Sequence, residues 1–188
     1  MNKKIFVVVL IVGILLVFGL LTILSYNGMV SKDQAVSQKA SEIKNRYVTK
    51  ISIITQLQQQ TNLSLAYESS LLTNITQLRT RWMEAFQSGA SDEQLINISE
   101  QLDQKFYTIL VSWENYPVLT GTDVIRSLMG EITFQEERLS YARAQYNGAV
   151  RDYNAYIKSF PNNLLAGTFG FKEKPYWGSN FPEDVTGL

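Results

Sequence analysis

The sequence predicts an all-α protein: an antiparallel helical bundle of three long helices plus a short C-terminal helical turn, carried on a single N-terminal transmembrane helix. Three observations predict it. Residues 5–24 hold no charged side chain. Downstream, apolar residues recur at alternating spacings of three and four, the period of a helix with one buried face. No proline precedes Pro117, and no stretch shows the two-residue alternation of a half-buried strand. The expected division is a cytoplasmic N-terminus (1–4), the transmembrane helix (5–24), the bundle (25–165) and an aromatic-rich tail (166–188).

The apolar run comes first. Gly13, Gly19 and Thr22 are its only non-hydrophobic members. A helix of this length rises about 30 Å, the thickness of a bilayer's hydrocarbon core. A cleaved signal peptide is the competing reading, but its apolar core would span only about 7–15 residues. The exit, Thr22-Ile23-Leu24-Ser25-Tyr26, also lacks an A-x-A-like site. Lys3 and Lys4 precede the run and only Lys32 follows closely. The positive-inside rule then puts the N-terminus in the cytoplasm and the bundle on the extracytoplasmic side of a bacterial-type inner membrane.

The first long helix is expected to continue to about Gln87, with a hinge near Gly28. Its seam is Val36, Ala40, Ile43, Tyr47, Ile51, Ile54, Leu57, Thr61 and Leu65, then Leu72, Ile75, Leu78, Trp82 and Phe86. Gln56 to Gln60 belong to a solvated face. Ser88-Gly89-Ala90-Ser91 ends this helix, since Gly89 can take the left-handed conformation. Ser91 and Gln94 form a capping-box pattern, and Asp92 and Glu93 suit the positive end of the next helix. That second helix runs to about Asn115, with Leu95, Ile98, Leu102, Phe106, Ile109 and Trp113 inward. A turn follows at 116–121.

The third helix starts near Thr122 and Asp123 and reaches Phe160. Its inward row is Ile125, Leu128, Ile132, Gln135, Leu139, Ala142, Tyr146, Ala149, Tyr153, Ile157 and Phe160. Gln135 interrupts this row, and a buried amide needs partners, so it is expected to hydrogen-bond across the bundle or to touch a ligand. After Pro161, Asn162 or Asn163 caps a short turn through Ala166, ended by Gly167. Phe169, Phe171, Tyr176, Trp177 and Phe181 crowd the tail, and some of them should fold back on the bundle.

Ala142-Arg143 with Tyr146-Asn147, Val150-Arg151-Asp152-Tyr153-Asn154, Phe160-Pro161-Asn162, and Ala166-Gly167 with Phe169-Gly170-Phe171 resemble the last helix and cap of the LemA family of bacterial membrane proteins. Glu114-Asn115-Tyr116-Pro117 resembles the turn before that helix, and Tyr26-Asn27-Gly28-Met29-Val30 the segment after the family's membrane span. The resemblance implies an antiparallel bundle anchored by one helix and does not imply an enzyme. The chain departs from the family at 45–54, where an Arg-rich, Leu-Ile-Pro-Asn-Leu-Val-like segment is usual and this sequence has no proline, the mark of a divergent member.

Composition limits the chemistry. The chain has no His and no Cys. His-based triads, thiol catalysis, disulfides, a lipoprotein anchor and the commonest metal ligands are therefore excluded. Neither a Walker A nor a G-x-G-x-x-G pattern occurs. No cofactor is implied. The formal charge is zero, and setting aside Lys3 and Lys4 leaves 15 basic residues against 17 acidic ones, no field for nucleic acid. Glu136-Glu137 and Asp92-Glu93 are adjacent pairs that diverge on a helix and read as solvated.

The remaining candidates for interaction or ligand contact are Gln135 and a polar stripe of Asn147, Arg151 and Asn154. An Arg between two amides can hold a carboxylate or a row of carbonyls. The structural alternative is that the stripe ties the last helix to the tail or to the first helix. Tyr146, Tyr153 and Tyr156 read as core and interface. The expected function is a structural, scaffolding or self-associating protein of the cell envelope, with the bilayer and a homo-oligomer or other envelope proteins as partners. An exported, sensor-like ligand-binding bundle is the alternative.

Overall fold

The structure, a computed structural model, describes residues 3–61, 66–114 and 123–178. Its helices are α1 (Lys3–Thr61), α2 (Ala66–Gln87), α3 (Asp92–Glu114), α4 (Asp123–Lys158) and α5 (Asn162–Ala166), with no strand among the described residues. The all-α class and the helical bundle are thus as the sequence predicts. The chain forms two compact units. One combines Met1–Gln38 with Asn147–Lys174, the other Lys39–Tyr146 with Pro175–Leu188.

The second unit is a four-helix, up-down-up-down bundle. The Tyr47 and Trp82 rings lie 5.6 Å apart, and Arg79 Nη1 donates to Thr55 Oγ1 at 2.7 Å. On one unbroken helix, residues 55 and 79 would stand about 36 Å apart. The expected single helix to Gln87 is therefore two, with α2 running back along α1; its expected continuity falls on 62–65, outside the described residues. Gly89 turns the chain at φ 71°. Ser91 and Gln94 form the expected capping box: each backbone N–H donates to the other's side-chain oxygen at 3.3 Å. Asp92 meets Lys44 at 3.0 Å near the start of α3, and Asp103 meets Lys50 further along, so α1 and α3 run parallel. On α4, Glu136 faces Lys50 and Arg143 faces Tyr47, so α4 is antiparallel to α1.

The apolar periodicity becomes this core. Ala40, Ile43, Tyr47, Ile51, Ile54, Ile75, Leu78 and Trp82 are buried, as are Leu95, Leu102, Phe106, Leu128, Ile132, Gln135, Leu139, Ala142 and Tyr146, while Val36 is buried in the first unit. Burying one such large side chain contributes roughly 1.5–3 kcal/mol. Trp177 inserts from the tail, 1% exposed, with its ring 6.0 Å from Tyr47 and 5.7 Å from Tyr146. Tyr146 also donates to the Pro175 carbonyl at 3.0 Å, so part of the tail does fold back. The seam positions Leu57, Thr61, Leu65, Leu72, Ile109, Trp113 and Ile125, the turn at 116–121 and Phe181 lie outside the described residues or side chains.

In the first unit, α4 packs antiparallel against α1. Lys174 ties Asp33 on α1 to Asn154 on α4, and Tyr156 lies against Gly28 and Lys32. α1 passes through Gly28 as continuous helix, with no hinge. A Cβ there would fall 2.6 Å from Tyr156 Cζ, so the glycine provides close approach. The buried row of α4 continues as Val150, Tyr153 and Ile157, with Ala149 only half-buried. Phe160 departs from the expected row: it lies beyond the last residue of α4 and is 80% exposed. Asn162 is buried and does not cap α5; its Nδ2 donates to the Tyr156 carbonyl and to Ser159 Oγ, both at 3.0 Å.

Candidate functional site

The four residues singled out from the sequence meet different fates. Asn154 is buried and clamps the tail: its Nδ2 donates to the Lys174 carbonyl, and the Lys174 N–H donates to its Oδ1, both at 2.9 Å. This pair satisfies both backbone groups of one tail residue, as a strand partner would. Tyr153 adds a hydrogen bond to the Lys172 carbonyl at 2.9 Å. Burial, then the nearby Asp33 carboxylate, pushes the Tyr153 hydroxyl above its ordinary pKa. Arg151 is exposed and meets only its neighbour Asp152 in the hydrogen bonds and ion pairs described, at 3.2 Å. Asn147 is half-buried. Gln135 is buried in the other unit, and its Oε1 has no hydrogen-bond partner among the described residues.

The densest polar constellation lies elsewhere, inside the four-helix bundle. Tyr47 and Lys50 share one face of α1, Asp103 and Phe106 one face of α3, and Glu136 and Arg143 one face of α4, each by three- or seven-residue spacing. Asp103 is 5% exposed and stands at the centre. It accepts from the Tyr47 hydroxyl at 2.6 Å and from Lys50 Nζ at 2.7 Å. Arg143 Nη2 donates to the same carboxylate and to the Tyr47 hydroxyl oxygen. Lys50, 1% exposed, is also paired with Glu136, and its Nζ lies 4.3 Å from the Phe106 ring centroid. Lys50 thus sits between two carboxylates and Asp103 between two cations.

Burial and the Asp103 charge hold the Tyr47 hydroxyl well above its ordinary pKa, and Tyr47 stays a neutral donor. Burial opposes the Arg143 charge, but its hydrogen bond to the Tyr47 oxygen and its attraction to Asp103 outweigh it and leave its pKa raised. Burial likewise raises Tyr146. On α2, Trp82 Nε1 donates to the buried Ser99 Oγ of α3 at 2.9 Å, so every helix of the bundle carries an internal polar tie.

Sequence reasoning missed this cluster. Glu136 was expected to be solvated; it is half-buried against Lys50. Arg143 appeared only as part of a family pattern. The available signal was their phase. Lys50 falls between Tyr47 and Ile54, and Glu136 and Arg143 fall at the 132–136–139–143–146 spacing of the α4 seam. Two cations and two anions on the buried faces of three helices can mutually compensate.

Fold and site define the class: an all-α bundle protein with, among the described residues, one helix long and apolar enough to cross a membrane and a mutually compensated ion cluster in its core. The chain belongs to the LemA family, whose model matches residues 39–185. It is similar to Magnetosome protein MamQ 2 and Magnetosome protein MamQ 1 of Paramagnetospirillum magneticum, 22% identical to each over 177 residues, which is 82% of this chain and 65% of each relative. It is also similar to Magnetosome protein MamQ of Magnetospirillum gryphiswaldense, 30% identical over 64 residues, 34% of this chain and 24% of the relative. The chain therefore spans just under two thirds of the length of the first two relatives.

Proposed function

We propose that this chain is a single-pass envelope protein that acts as a scaffold: residues 5–24 cross the bilayer, Lys3 and Lys4 stay on the cytoplasmic side, and the extracytoplasmic bundle self-associates or holds other envelope proteins. The observation that carries this reading is the continuity of α1. One helix, Lys3–Thr61, holds an exposed charge-free run and then contributes the first seam of the bundle, without a linker. The ion cluster supports a structural role over a catalytic one, because its charges are spent on one another. The tie of the MamQ proteins to the magnetosome is theirs and is not carried over to this chain.

Protease accessibility in intact cells and in inverted vesicles tests the topology. Cleavage of the bundle only from the extracytoplasmic side is expected, and cleavage only from the cytoplasmic side refutes the orientation. Crosslinking in native membranes tests the scaffold, and a strictly monomeric chain with no co-purifying protein sinks it. One observation favours a ligand-binding bundle instead, the buried Gln135 Oε1 without a described partner. A small-molecule thermal-shift screen whose hits vanish in Gln135→Leu would move the reading there.

A further inference from the structure

The first unit exposes apolar side chains where a water-soluble surface would not. Phe160 is 80% exposed, Leu164 66%, Phe169 41% and Tyr26 42%. Their axial level follows from contacts within the unit. Tyr156 abuts Gly28, and α4 runs antiparallel to α1. Two residues further, α4 ends at Lys158, about 3 Å closer to the apolar run and level with Tyr26, and Phe160 lies in the turn just beyond. Phe169 and Phe171 pack edge-on against Tyr26, at ring separations of 5.1 and 5.9 Å. Tyr26 stands two residues after the charge-free run.

We infer that the corner formed by the end of α4, α5 and the following turn is seated in the interfacial layer of the same bilayer that α1 crosses, with Phe160, Leu164 and Phe169 in contact with lipid. This rests on the reading that residues 5–24 span the membrane. Continuity selects lipid as the occupant: the exposed corner begins at the level where the lipid-facing part of α1 ends. Its backbone suits the location. The N–H groups of Asn163, Leu164, Phe169, Gly170 and Phe171 donate to carbonyls within 159–167 at 2.9–3.3 Å, so few polar groups are left to satisfy near the acyl chains. Asn162 turns its amide inward to the Tyr156 carbonyl. Aromatic side chains at the edge of a span favour this layer.

The absence of cysteine makes the test direct, because a single introduced Cys takes a nitroxide label uniquely. The full chain is reconstituted in phosphatidylcholine–phosphatidylglycerol vesicles as Phe160→Cys, Leu164→Cys, Arg151→Cys and Leu16→Cys. Collision rates with oxygen and with a water-soluble nickel chelate are then read. At 160 and 164 the oxygen-to-nickel ratio is expected to exceed that at 151 several-fold and to stay below that at 16. Labels at 160 and 164 as open to nickel as the label at 151, with 16 still shielded, overturn the inference and leave the membrane span standing. Labels at 160 and 164 shielded from both reagents also overturn it, since a protein surface then covers the corner. A label at 16 open to nickel overturns the span itself and the inference with it.

Discussion

Asp103 is the residue whose replacement should cost the bundle most. Its carboxylate is 5% exposed and receives Tyr47, Lys50 and Arg143. Asp103→Asn keeps the shape and one acceptor oxygen, enough for Tyr47. It removes the charge and turns an N–H donor toward a cation. Lys50, 1% exposed, and Arg143, with 14% of its side chain exposed, then share Glu136, 33% exposed, as their only remaining anion in the cluster. Removing one partner of a buried ion pair costs about 3–5 kcal/mol, mostly from the charge left behind. For a chain of this size each kcal/mol shifts the midpoint by about 2–4 °C, so the variant should melt roughly 6–20 °C lower. Unfolding of the full chain in detergent micelles, followed by near-UV circular dichroism of the Tyr47 and Trp82 environment, reads this directly. The paired variant Lys50→Met with Asp103→Leu leaves Arg143 and Glu136 balanced and should recover most of the loss. A cost below about 1 kcal/mol for Asp103→Asn, or a paired variant no better than the single one, refutes mutual compensation as the reason these charges are buried.

Tyr47 and Tyr146 have raised pKa values in the folded chain, so stability should be flat below about pH 10, where the unfolded tyrosines keep their protons. It should fall as pH rises beyond that, by up to about 1.4 kcal/mol per pH unit per residue, because the unfolded chain then binds fewer protons. Denaturation midpoints from pH 8 to 11 measure this slope, which Tyr146→Phe should reduce. Asn154→Ala removes both bonds to the Lys174 backbone and should cost about 1–3 kcal/mol, with faster tryptic cleavage after Lys172. Arg151→Ala, at an exposed side chain, should stay within about 0.5 kcal/mol, and equal effects from the two would show that the stripe acts as one site. Gly28→Leu should expel Tyr156 from α1 and cost about 1–3 kcal/mol by overpacking, detected as a lower melting temperature that Tyr156→Ala in the same chain partly restores.

The seam, the capping box at Ser91 and the turn at Gly89 were legible because each depends on neighbours in sequence. The separation of α1 from α2 was not. The stretch 61–65 has neither Gly nor Pro, and the three-and-four apolar spacing carries across it, so periodicity alone returns one helix. Only long-range pairs such as Thr55–Arg79 reveal the reversal. Phe160 was misplaced for a related reason: α4 ends at Lys158, and beyond a helix end its phase no longer fixes which way a side chain points. Asn154 was legible as a polar position on the buried side, but its partner is the backbone of Lys174, which carries no side-chain signature. The ion cluster was not legible because charge on a helix is usually solvated, and only the phase of Lys50, Asp103, Glu136 and Arg143 sets these four apart.

The buried cluster also accounts for something the apolar seams leave open. Rows of Ile, Leu and Val at three-and-four spacing pack nearly as well after one helix slides by two turns, because each hole meets another aliphatic knob. Asp103 breaks that degeneracy. Sliding α4 by seven residues, about 10 Å, would carry Arg143 away from Asp103 and leave charges without their partners. Such a register loses several kcal/mol per unpaired ion, far more than a change of aliphatic contacts. The Asn154 clamp narrows the choice in its own unit, since Lys174 can meet Asp33 and Asn154 together in only one alignment of α1 and α4. The scaffold role proposed above would call for this determinacy more than for extra stability, because partners that read its surface would require the same helix faces in every copy.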